Sequence, residues 1–170
     1  MSGIKPREVD WRSALLGTRA PGWSLLVRLL VGLIVFLPEG FQKLAFPDIL
    51  GVGRFVHIGI PYADLMGPFV GVVEMICGAL IILGLLTRIA AIPLIVIMIV
   101  AIVSTKVPIL LGHDFLIFHT PKLARYGFWS AAHEARADFC ALLGSLYLLI
   151  EGAGAWSLDA VLVRKLDRRD

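Results

Sequence analysis

The hydrophobic positions of this chain gather into long runs, not into the short alternations of strands. The first run, residues 23–46, is largely apolar and carries Arg28, Pro38, Glu39 and Lys43. A bilayer core of about 30 Å is crossed by roughly 20 helical residues, so this run predicts a membrane-spanning helix. A secretory signal is the rival reading. The long leader before Trp23 and the lack of a small-residue cleavage site after Leu37 set it aside. Residues 46–66 mix Pro47, Gly51, Gly53 and Pro61 with aromatics and His57, the pattern of an ordered interfacial loop with a short helix lying in the headgroups.

A second span is predicted over residues 68–86. Thr87 and Arg88 read as a tight connection to a third run, which starts at Ile89, passes Pro93 and ends between Ser104 and Leu111. Spans joined so closely must be antiparallel neighbours. Residues 112–129, with His113, Asp114, His119, Pro121 and Trp129, read as a second interfacial loop. The fourth span, residues 131–150, opens on a polar turn of His133, Glu134, Arg136 and Asp138, with Ser130 as its N-cap. The expectation is an all-α fold: a four-transmembrane-helix bundle with two extracytoplasmic interfacial loops. It divides into an amino-terminal segment, residues 1–22, a membrane domain, residues 23–156, and a tail, residues 157–170.

Composition agrees with lipid as the solvent, since 58% of the 170 residues are hydrophobic and only 17% charged. The net charge of +3 comes largely from Lys5, Arg7, Arg12 and Arg19 at one end and Arg164, Lys165, Arg168 and Arg169 at the other. These clusters suit an anionic membrane surface. No basic stripe interleaved with aromatics is present, so no nucleic-acid partner is predicted. Outside the spans, these eight cations and Arg88 make nine on one side, against Arg54, Lys106, Lys122 and Arg125 on the other. Positive charge favours the cytoplasm, which predicts a multi-pass protein of the cell inner (plasma) membrane with both termini cytoplasmic.

Cys77 and Cys140 lie in apolar segments without a CxxC pattern and read as small core residues. Ionisable groups within spans cost about 2.5–3.5 kcal/mol at the bilayer centre and need a partner, water or a role. Glu39 and Lys43, one helical turn apart, lie about 40° from each other on one face and can pair. Two readings stay open: an ion pair that makes burial tolerable, or a functional site at a kink set by Pro38. Glu74 has no basic residue within a turn, so its partner must come from another helix. Gly67, Gly71 and Gly78 fall within about 60° of it and let that helix approach. Helix glue and proton or cofactor handling remain alternatives for Glu74.

In the fourth run Glu134, Asp138 and Ser145 share a sector of about 40°, with His133, Arg136, Cys140 and Tyr147 on the other side. One sector can line the bundle interior while the other meets a loop or partner. Alternatively, the acidic groups merely complement the helix dipole. His113, His119 and His133 match no metal-ligand spacing and read as interface anchors, so no metal is predicted. A Ser-His-Asp arrangement, a P-loop and a dinucleotide fingerprint are absent.

Several stretches together resemble the DoxX family: Arg28 with Gly32, Pro38-Glu39-Gly40-Phe41-Gln42-Lys43-Leu44 with Pro47, Gly71-Val72-Val73-Glu74 with Gly78, Gly84-Leu85-Leu86-Thr87-Arg88-Ile89-Ala90-Ala91, and Ala132-His133-Glu134-Ala135-Arg136-Ala137-Asp138-Phe139 with Gly144 and Tyr147. They extend over residues 28–156. The resemblance implies a small four-helix membrane protein associated with redox chemistry; such proteins include a thiosulfate:quinone oxidoreductase subunit and a membrane component of an oxidant-defence assembly. Glu39, Lys43, Glu74, Arg88, His133, Glu134, Arg136 and Asp138 match positions of the family pattern, with no catalytic role transferred to any of them.

Three functions compete. The first is a quinone-linked membrane subunit in which Glu39 and Lys43, or Glu74, exchange protons with a quinone arriving from lipid. No Fe–S, haem or flavin motif is present, so no intrinsic cofactor is predicted and redox centres would come from a partner oxidoreductase. The second is a non-catalytic anchor or assembly factor for such a partner. The third, a small-solute or proton carrier, ranks last for want of paired interrupted helices. Oligomerisation is left open.

Overall fold

Peptide groups that leave water must be satisfied within the chain, and a helix does this locally. The computed structural model, which describes residues 16–18 and 20–166, is accordingly helical nearly throughout. The first helix, α1, runs over Gly22–Ala45. Within it Pro38 lies in a widened π-helical turn, Val35–Phe41, where the missing proline N–H is accommodated by an altered hydrogen-bond register. Two short helices follow, α2 (Pro47–Leu50) and α3 (Val52–His57). The next long helices are α4 (Ala63–Leu83) and α5 (Thr87–Leu111), the latter with its own π-helical turn at Ile102–Lys106. Then come α6 (Phe128–Glu134), α7 (Arg136–Glu151) and α8 (Leu158–Leu166).

Among the described residues three helices, α1, α4 and α5, are long and apolar enough to cross a membrane, which makes this a multi-pass membrane bundle. They pack with α7 in a ring in which α1 and α5 each touch both α4 and α7 and stand across from one another. Val31 and Val35 of α1, Cys77 and Ile81 of α4, Leu94 and Met98 of α5, and Ala141 and Leu148 of α7 meet in the core. The outer faces are apolar as well: Leu26 and Leu30, Phe69 and Ile76, Ile92 and Val96, and Phe139, Leu143 and Ile150 are all exposed. Such a surface is a liability in water and a match for lipid.

Glycines set the distance between α1 and α4. A Cβ on Gly78 would stand 3.2 Å from the Gly32 carbonyl oxygen, and one on Gly40 only 2.9 Å from the Met75 nitrogen and 3.1 Å from Glu74 Cβ. The backbones therefore approach closely where the charged residues lie.

Some boundaries differ from the sequence reading. The α4–α5 link lies at Gly84–Leu86, because Gly84 (φ +67°) and Leu86 (φ +49°) take left-handed conformations, so Thr87 and Arg88 open α5 rather than precede it. The Asp159 carboxylate fixes that turn, accepting bonds from the N–H groups of Leu86 (2.7 Å) and Thr87 (3.1 Å). The fourth run divides at Ala135, and Ser130 lies inside α6. Its cap is Gly127, whose φ of +104° turns the chain in a way a serine would resist. Cys77 is buried, but Cys140 is exposed on the outer face of α7 and is no core residue.

Candidate functional site

The widened turn of α1 ends at Phe41, and the helix continues so that Glu39 and Lys43 share a face. As their spacing predicts, Lys43 Nζ lies 3.0 Å from Glu39 Oε2. The same ammonium donates across to α4, reaching Glu74 Oε2 at 2.7 Å and Oε1 at 2.9 Å. Glu74 is fully buried and Lys43 nearly so, whereas Glu39 keeps a quarter of its side chain (25%) exposed. The partner that Glu74 required from another helix is thus Lys43, which holds two carboxylates at once.

A second pair stands across the ring. Lys106 Nζ on α5 lies 3.2 Å from Asp138 Oδ2 on α7, with both side chains under a tenth exposed (8% and 9%). The π-helical turn Ile102–Lys106 makes this geometry, since it brings the successive residues Ser104, Thr105 and Lys106 all into the interior. Sequence reasoning placed Lys106 among the loop cations; it is a buried residue of α5. The signal that could have found it is Asp138, a buried carboxylate that needs a cation as much as Glu74 does.

Both pairs line one cavity of about 400 Å³. Four carboxylates (Glu39, Glu74, Glu134, Asp138) and three cations (Lys43, Arg54, Lys106) face it. Its rim includes Phe69 of α4 with Val96 and Val100 of α5, apolar side chains that are also exposed on the outer surface. The cavity occupies the half of the bundle near α2, α3 and α6. Toward the chain ends the helices are filled by the apolar core and closed by Arg28, a fully buried side chain whose guanidinium donates to the Trp156 carbonyl.

Of the sequence candidates, Glu39, Lys43, Glu74, Glu134 and Asp138 come together at this cavity. His133 and Arg136 do not: both are exposed and contact each other, Arg136 Nη2 lying 3.1 Å from His133 Nε2. Arg88 lies at the far end, donating to the Ile150 carbonyl at 2.9 Å. In the loop outside the spans, Asp114 receives the Thr120 N–H at 2.7 Å and stands 2.9 Å from His119 Nδ1. Those contacts hold its carboxyl below the usual aspartate range, the Thr120 backbone bond being the largest cause. His119 also ties the two loops together, its N–H donating to the Ile58 carbonyl at 3.0 Å.

Comparison with known proteins adds sequence likeness to this geometry. The DoxX family profile matches residues 23–107, a stretch that holds Glu39, Lys43, Glu74 and Lys106. An uncharacterized membrane protein of Mycobacterium tuberculosis, Rv3486, is 47% identical over 167 residues, covering 92% of this chain and 95% of that protein. No solved structure matches.

Proposed function

The chain belongs to the DoxX family, and from that premise we propose that it is the membrane subunit of a quinone-linked redox system, with the cavity as the seat of the quinone head group. The carrying observation is that Lys43, held between Glu39 and Glu74, sits on the wall of a cavity whose rim is apolar and faces outward. A lipid-soluble molecule enters such a site sideways from the bilayer, leaving its tail against Phe69, Val96 and Val100. Its polar head then meets charges that water alone cannot reach freely.

Quinone reduction takes up two electrons and two protons. The electrons come from a partner oxidoreductase, of which this chain is the quinone-side subunit. The protons are the business of Glu39, Lys43 and Glu74: Glu39 is open enough to exchange with water, and Lys43 links it to the buried Glu74. In this reading α7 is a fourth span, supported by the outward Phe139, Leu143 and Ile150, and both termini lie on the cytoplasmic side of the inner membrane.

The test is reconstitution in lipid nanodiscs with a 1,4-benzoquinone bearing a ten-carbon tail. Saturable binding, weakened by Glu39→Gln with the fold intact, is the expected outcome. Absence of binding to the folded protein would leave the anchor reading, in which the bundle only holds a partner enzyme.

A further inference from the structure

The two lysines at the cavity differ in how much hydrogen-bonding capacity they retain. An ammonium has three N–H groups. Lys43 faces three carboxylate oxygens, one from Glu39 and two from Glu74, at 2.7–3.0 Å. Its donors are spent. Lys106 has a single partner among the described residues, Asp138 Oδ2 at 3.2 Å, although it is just as deeply buried and lines the same cavity. Ser104 and Thr105 beside it are occupied with one another and with the Ala101 carbonyl. A buried cation with spare donors aimed at an open volume is incompletely satisfied, and a ligand acceptor completes it.

The ring geometry says where that acceptor lies. Lys106 is on α5 and Lys43 on α1, helices that stand across from each other, while their carboxylates Asp138 and Glu74 come from the other diagonal, α7 and α4. The two ion pairs therefore form opposing walls. We propose that Lys106 is the orienting residue of the site, donating to one carbonyl oxygen of the head group and so turning the rest of the ring toward the opposite wall. The ligand class is an apolar-tailed ring bearing a carbonyl acceptor, as in a 1,4-dione. This assignment rests on the quinone reading above and adds to it a direction of binding and the residue that sets it. Asp138 holds the ammonium in place and is a positioning residue.

The experiment compares the wild-type protein with Lys106→Met and with Lys106→Met/Asp138→Asn, all in nanodiscs. The double variant removes the charge on both sides and so guards against misfolding from an orphaned carboxylate. Two probes are used: the ten-carbon-tailed 1,4-benzoquinone, and an alkylbenzene of the same tail without oxygens. Losing a charged hydrogen bond is expected to weaken quinone binding roughly 10- to 100-fold in both variants. Alkylbenzene binding is expected to stay unchanged. Infrared difference spectra of the bound quinone, with its carbonyls labelled singly with carbon-13, should show one carbonyl band shifted to lower frequency by the ammonium and that shift lost in the double variant. Unchanged quinone affinity with both bands in place would overturn the role of Lys106. An equal loss for both probes would also overturn it, since that marks collapse of the cavity. If the wild-type protein binds the alkylbenzene but no quinone, the quinone reading itself falls and the assignment with it.

Discussion

Lys43 on α1 and Glu74 on α4, 31 positions apart in the chain, face each other through two hydrogen bonds of 2.7 and 2.9 Å in the interior of the bundle. Removing one partner of a buried pair costs about 3–5 kcal/mol, because the other charge is left without compensation. Lys43→Met strands two carboxylates and is expected to be the most damaging change. Glu74→Gln leaves Lys43 with Glu39 and is expected to be milder, and Glu39→Gln, at the open end of the cluster, milder still, about 1 kcal/mol. The double variant Lys43→Met/Glu74→Gln should be more stable than Lys43→Met alone. Thermal unfolding in mild detergent ranks the four. Equal stability of Lys43→Met and wild type would show that this pair does not hold α1 to α4.

How much of this was legible follows from what sequence spacing reports. The turn-spaced Glu39 and Lys43 could be paired on sight, since neighbours on one helix face are fixed by its pitch. That Glu74 needed a cation was legible from its isolation, and the glycines on its face told that a helix comes close. Which helix it is depends on how the bundle closes, and no local rule contains that. Lys106 was hidden for another reason: it stands in the last turns of a span, where a cation ordinarily reaches for the headgroups, and the π-helical turn at Ile102–Lys106 directs it inward. Family resemblance was legible because it rests on short fixed strings such as Pro38-Glu39-Gly40, and the match over residues 23–107 upholds it.

The end of the bundle away from the cavity makes a separate prediction. Asp159 on α8 accepts the N–H groups of Leu86, the residue before α5, and of Thr87, its first residue, neither of which has a partner within that helix. It caps a helix to which it does not belong. Asp159→Ala should cost about 0.5–2 kcal/mol, the range of a lost helix cap, and Asp159→Asn, which keeps one acceptor oxygen, less. Hydrogen exchange at the Leu86 and Thr87 amides is the direct check. Protection that persists in Asp159→Ala would mean that the turn holds itself.

In the loop, the lowered Asp114 carboxyl sets a pH dependence whose sign is fixed. A carboxylate held below its unfolded value of about 3.9 contributes order that is fully present above that pH and is lost as pH falls through the folded value. The Thr120 amide, bonded to Asp114 at 2.7 Å, should therefore be protected relative to a free amide at neutral pH and lose that protection progressively in acid. Asp114→Asn should remove most of this dependence. An exchange rate at Thr120 that follows only the intrinsic chemistry of amides across that range would rule out the contact.

The last prediction concerns the side from which the cavity is reached. Glu39, Lys106 and Glu134 all lie in the half of the bundle near α2, α3 and α6, whereas Val31, Ile81, Leu94 and Leu148 fill the half toward the chain ends. Water and small ions are therefore expected to reach the charged groups from the loop side. Ser104 lines the cavity, and replacing its hydroxyl by a thiol changes little volume. In a background of Cys77→Ala and Cys140→Ser, Ser104→Cys should react with a small membrane-impermeant thiol reagent added on the loop side, more slowly than a cysteine at Pro121. Arg88→Cys, at the opposite end, should react only from the side of the termini. In the proposed orientation the loop side lies outside the cytoplasm, so in intact cells Ser104→Cys and the Pro121 site should be labelled from outside and Arg88→Cys should not. Labelling of Arg88→Cys from outside with Ser104→Cys silent would invert the orientation. Labelling of Ser104→Cys from both sides would mean that the apolar core is no barrier, and would turn the bundle from a one-sided site into a path across the membrane.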